Sequence, residues 1–183
     1  MRKISTLLSV AAAFLLVGSV ARAQGTDPVL QAKIDARMAV VKAMAADPVV
    51  VQAVKTTNAT ARPEYADMTQ EKWAGLSVLD PLVRPFTQND VAKVLKTKKV
   101  DEMSEAFVSA ASGVKVGFLS KPTNWSHKGK PKHDVPMTGR AWQGVMEMDE
   151  STGMQQIQVS VPVLDGGKPI GSLVVGLAIS KLR

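Results

Sequence analysis

The chain has 183 residues, 45% of them hydrophobic and 4% aromatic, with no cysteine and a formal net charge of +7 at pH 7. That length suits one domain with a real core. The absence of cysteine excludes a disulfide-stapled fold and any thiolate chemistry at a metal or an active site.

The first residues carry the three parts of a secretion signal. Arg2 and Lys3 form a positive start, Leu7 to Val17 is an apolar run broken only by Ser9, and Ala21-Arg22-Ala23 presents small residues where a signal peptidase reads. Cleavage is therefore expected before Gln24, giving a periplasmic mature chain of 160 residues, 24–183, with no later segment apolar enough to span a membrane. Removal of Arg2, Lys3 and Arg22 leaves 20 basic and 16 acidic side chains, a net +4. A basic exported chain with few aromatics for base stacking argues against nucleic acid and toward an anionic ligand or surface.

A helical part, 24–102, is expected to precede a sheet part, 103–183. Three Asp-Pro pairs, Asp27-Pro28, Asp47-Pro48 and Asp80-Pro81, each match a helix start: Asp caps free N–H groups and Pro occupies a position needing none. Leu30, Ile34, Met38, Val41 and Ala45 share one face of the first helix, a stripe suited to the sheet or to a second copy in a homodimer. A shorter helix follows over 48–57, then a loop over 58–67, a helix near 70–76 carrying Trp73, and another capped by Thr87 with Asp90 three residues later.

From Met103 the pattern turns to strands. The runs 105–111 and 114–119 meet at Ser112-Gly113, a hairpin signature. Residues 121–137 read as a lysine-rich loop, and Arg140 to Met148 as a strand. The two clearest strands, 154–163 and 170–179, join through Asp165-Gly166-Gly167. Ile157, Val159 and Val161 share one face, opposite Gln156, Gln158 and Ser160, so one side packs on the core and the other meets something polar. The last strand is apolar on both faces and belongs in the middle. The expected class is α+β, helices on an antiparallel sheet.

Glu105 to Gly113 resembles the first strand and turn of Cache (extracellular PAS-like) sensor domains. The stretch Asp149 to Gly153 with Ile157 to Val163 is similar to their turn and penultimate strand, and Asp165 to Gly171 with Val174 to Leu177 to their final hairpin. The early helical pattern Asp47-Pro48-Val49-Val50 is similar too. This resemblance implies a free-standing sensor module without an output domain, which would bind a small molecule and signal through a membrane sensor or transporter partner. Arg140-Ala141-Trp142 matches the Arg-x-Trp fragment of amino-acid-binding members, whose arginine grips a carboxylate. Those members also use tyrosine and an aspartate in the last strand. Here Tyr65 lies far upstream and the strand reads Gly176-Leu177-Ala178-Ile179, so a simple carboxylate is favoured over an amino acid.

The expected pocket lies against Gln156, Gln158 and Ser160, with Arg140 and Trp142 at the rim and the loop Trp125–Asp134, carrying Trp125 and His127, as a lid. His127, His133 and Asp134 are chemically reasonable metal ligands, but their spacing fits no standard motif and nearby lysines repel a cation, so no metal is expected. No cofactor motif is present. There is no G-x-S-x-G, H-E-x-x-H or phosphate-binding glycine loop, and an enzyme is not expected. The alternative is an accessory protein of the same fold that docks a partner or an anionic surface and takes no ligand.

Overall fold

The computed structural model describes residues 26–148 and 153–182. The expected leader with its cleavage point and the segment 149–152 lie outside these residues.

Two Asp-Pro pairs start helices as expected. Asp27 accepts from the Val29 N–H and opens α1 (Pro28–Ala45), and Asp47 accepts from the Val49 N–H and opens α2 (Pro48–Ala59). Asp80 instead forms a turn, its carboxylate accepting from the Leu82 N–H at 2.8 Å, and helix begins only at α4 (Arg84–Gln88). α3 (Gln70–Gly75) is capped by Thr69. The cap of α5 (Asp90–Thr97) is Asn89, accepting from the Ala92 N–H at 2.9 Å, and not Thr87, whose hydroxyl donates to the Arg84 carbonyl inside α4.

Among the described residues five strands form one antiparallel sheet: β1 (Met103–Ala110), β2 (Lys115–Phe118), β3 (Trp142–Met148), β4 (Gln155–Asp165) and β5 (Lys168–Ala178), in the order β2-β1-β5-β4-β3. The doubly apolar β5 is central, because both of its faces are covered. A short α6 (Pro131–Asp134) and a 3₁₀ turn at Pro136–Thr138 interrupt the connection read as loop, and α7 (Ile179–Leu182) ends the described chain.

Helices α1, α2 and α5 cover one face, where α1 lies along β4, α2 along β1 and α5 along β2. The α1 stripe Leu30, Ile34, Val41 and Ala45 packs there with Val159, Val161, Leu173 and Val175. It is therefore buried within the chain, the first of the two fates its sequence allowed. Gln31 and Gln143 sit within this layer and exchange amide hydrogen bonds at 2.9 and 3.0 Å. No helix among the described residues is long and apolar enough to cross a membrane.

Candidate functional site on the distal face

The face away from those helices, called distal here, is built in two halves. At the β1–β2 end, Tyr65, Trp73, Phe86, Phe107, Phe118 and Trp125 form a second buried cluster with Val83 and Val174. Trp125 stacks on Tyr65 at 5.3 Å and lies 5.0 Å from Trp73. Gln70 pins the chain beside it, donating to the Thr123 carbonyl and accepting from the Trp125 N–H, each at 2.9 Å. Trp125 thus anchors the start of the expected lid in an aromatic core.

The other half is polar. A bulge between Val108 and Ser109 pairs Ser109 with Lys115, so that both point to the distal side, as do Phe107 and Phe118. β4 contributes Gln156, Gln158 and Ser160, and β5 contributes Ser172 beside Val174 and Gly176. A Cβ on Gly176 would lie 2.3 Å from Gln156 Oε1, so a side chain there would displace that amide. The expected polar row is thus real, but it is covered rather than open to water. Gln156, Gln158 and Ser160 are all buried.

The cover is the segment after β2. The Val114–Ser126 bridge and the His127 N–H donating to the Gly113 carbonyl at 2.9 Å lay 126–128 against the hairpin turn. Gly113 has a φ of +82°, and a Cβ there would meet the Lys128 nitrogen at 2.3 Å, so only glycine permits this approach. His127 stacks on Phe107 with 4.6 Å between rings. Lys132 donates to Gln158 Oε1, and Gln158 in turn donates to Glu105 Oε1, which also accepts from Gln156 at 3.3 Å. His133 Nδ1 meets Ser172 Oγ at 2.7 Å and Nε2 meets the Ala111 carbonyl at 3.3 Å. A carbonyl only accepts, so Nε2 carries the proton and Ser172 donates to Nδ1.

Lys115 lies at the centre, with 0% of its surface exposed. Its Nζ reaches Ser109 Oγ at 3.3 Å and the Gly113 carbonyl at 3.5 Å, contacts His127 Nδ1, and sits 4.8 Å from the Phe107 ring centre. Among the described residues no carboxylate lies within ion-pairing distance of it. Burial, reinforced by the positive charge of Lys132 and opposed by Glu105, holds the amine well below the ordinary lysine range. Burial and the adjacent Lys115 push His127 down to about 2, and burial lowers His133 despite its carbonyl partner. Ser160 Oγ is buried with no hydrogen-bond partner among the described residues.

The remaining expected residues fall elsewhere. Trp142 is half-buried and pairs with Ser160 across β3–β4, which sets it at the edge of the polar row. Arg140 is exposed, and its Nε donates to Thr138 Oγ1 at 3.1 Å. Its neighbours Gly139 and Ala141 line a separate cleft of about 420 Å³ with Lys42, Ala46, Val161, Pro162 and Leu164. His127, His133 and Asp134 do not converge. Asp134 accepts from the Gly129 N–H at 3.1 Å, and among the described residues no three metal-binding side chains gather. Sequence reasoning missed Lys115, Ser109, Ser172 and Glu105. The available signal was polar residues recurring at inward positions of otherwise apolar strands.

No family model matches the sequence, and no curated protein matches it. Solved structures do match in shape. The sensor domain of the V. cholerae histidine kinase DctB superposes with a TM-score of 0.51 at 12% identity, over 84% of this chain and 53% of that one. The E. coli DcuS sensor domain gives 0.50 at 15% identity, over 85% of this chain and 96% of that one. The fold is that of the Cache-type sensor domains. The present chain spans about half the DctB domain and nearly all of the DcuS domain. In this Cache-type fold the buried polar cluster occupies the distal side of the sheet, and α1, α2 and α5 occupy the other.

Proposed function

We propose that the chain is a periplasmic Cache-fold module, released from its leader before Gln24, that binds a small carboxylate on the distal face and signals through a partner protein. The observation that carries this reading is Lys115, a buried amine facing polar groups with no carboxylate in reach among the described residues. Burial without a carboxylate disfavours the ammonium form of this amine, and an entering anion would stabilise that form. Lys115 would pair with the anion as it displaces His127, with Gln156, Gln158 and the orphaned Ser160 hydroxyl as further hydrogen-bond partners. Trp142 would border the site, and Trp125 would hold the cover in place.

A competing location is the 420 Å³ cleft beside Lys42, lined by Gly139 and Ala141 on either side of Arg140 in sequence. A thermal-shift screen of residues 24–183 against acetate, propionate, succinate, amino acids and amines separates the two. Saturation near 100 times Kd stabilises by about 2.7 kcal/mol, a rise of several degrees. The expected result is a carboxylate-induced shift that Lys115→Met abolishes and Arg140→Ala retains. The reverse pattern would move the site to the cleft. An accessory role without a ligand is favoured by one feature, the exposed Val145, Met146 and Met148 on β3. It would be the conclusion if no compound shifts the protein.

A further inference from the structure

Charged and titratable groups approach Lys115 from several elements. Glu105 comes from β1, engaged by Gln156 and Gln158. His127, Lys132 and His133 come from the covering segment, with Lys128 and Lys130 beyond them. Arg62, over the Tyr65 and Phe86 rings, donates to the Lys115 carbonyl at 3.2 Å. β4 and β5 present only amides, hydroxyls and apolar groups there. Asp134 adds a second acid on the covering segment, beside His133. Among the described residues cations still outnumber these two acids around a fully buried amine, and an uncharged Nζ is the form this packing favours.

We propose that the distal-face site takes up its anion together with one proton, which Lys115 accepts as the anion replaces His127 at Nζ. The proposal rests on the carboxylate reading above. An anion at Nζ stabilises the ammonium, so Lys115 is neutral when free and charged when bound. The proton comes from solvent, because neither His127 nor His133 holds a spare one: burial lowers both below the ordinary histidine range. The Lys115 amine lone pair forms the new N–H bond, and no other group in the cluster changes charge. With a monocarboxylate such as acetate the bound species is then a neutral ion pair in a buried site, which offsets much of the penalty that either ion alone would carry.

The test measures the Kd of acetate and of succinate for residues 24–183 at constant ionic strength, from about pH 6 to about pH 9, where both probes stay ionised. One proton taken up makes Kd rise by up to about tenfold per pH unit above the free amine's titration point. Lys115→Arg, permanently charged, should bind with little pH dependence. Because that variant could fail to fold, Lys115 carrying ¹³C at Cε is also followed by NMR in the wild type, with Lys115→Met assigning the signal. The expected signal at neutral pH is that of a free amine without acetate or succinate and of an ammonium with a saturating probe. A wild-type Kd that is flat with pH, or an ammonium signal in the free protein, would overturn proton uptake while leaving carboxylate binding intact. No binding of either probe at any pH would overturn the carboxylate reading itself.

Discussion

At the scale of single residues, Lys115 and His127 are held in the forms that burial prefers, and this has consequences for stability. An unfolded chain restores an ordinary lysine near 10.4 and an ordinary histidine near 6.5. The Lys115 amine is depressed in the folded state, so the unfolded state binds more protons across the window below the ordinary lysine value, and stability falls as pH falls through it. Lys115→Met removes that dependence and replaces a buried amine with an apolar side chain of similar length. The variant should melt at or above the wild type at neutral pH, with the gap widening as pH is lowered. A variant markedly less stable than wild type would show that the amine has a strong internal partner. His127 adds a second slope: with its folded value at about 2, stability should fall between about pH 6.5 and pH 2 by up to about 1.4 kcal/mol per pH unit, and His127→Gln should flatten that fall. Denaturant titrations across pH read both effects. Lys115 was hard to see beforehand because Val114-Lys115-Val116 looks like an ordinary strand with its lysine turned to water. Only the bulge at Val108–Ser109 and the cover from 126 to 133 turn it inward.

At the scale of elements, the helix starts at Asp27 and Asp47 were legible because an acidic cap followed by proline has a local cause. Asp80-Pro81 carries the same letters yet makes a turn, since its carboxylate is used two residues on and the chain is committed to Tyr65, whose hydroxyl donates to the Leu82 carbonyl at 3.0 Å. The α1 stripe was legible from its period. Ile34 is completely buried, so Ile34→Asp should cost several kcal/mol by leaving an unpaired charge in the core. An unchanged melting temperature would contradict the packing. The covering segment depends on a single backbone position. Gly113→Ala would force a side chain into a positive-φ residue and onto the Lys128 nitrogen. Its expected effect is local: hydrogen exchange should speed up at 126–134 while α1 and β4 keep their protection. Uniform loss of protection would mean that the segment is part of the global core and not a separable cover.

At the scale of the whole molecule, the chain divides its sheet between two tasks. One face is largely apolar and carries α1, α2 and α5. The other joins an aromatic cluster, which fixes Trp125, to a polar cluster that includes Lys115, His127, His133 and Gln158. The alternation in β4 disclosed that one face would be polar, and the doubly apolar β5 disclosed the centre of the sheet. The place of Arg140 was not legible, because it depends on how the chain leaves the 3₁₀ turn at Pro136–Thr138, and it ends exposed beside Thr138. If the ligand is a carboxylate held by a buried amine, its affinity should resist added salt, since buried pairs are screened far less than surface ones. A steep loss of affinity in salt would instead indicate capture by the exposed lysines of the cover. The most direct test is a crystal structure of residues 24–183 with the carboxylate that shifts melting most. The account predicts ligand density on the distal face, its carboxylate against Lys115 Nζ and within reach of Ser160. Density in the cleft beside Lys42 and Ala141, with Lys115 still on His127, would contradict it.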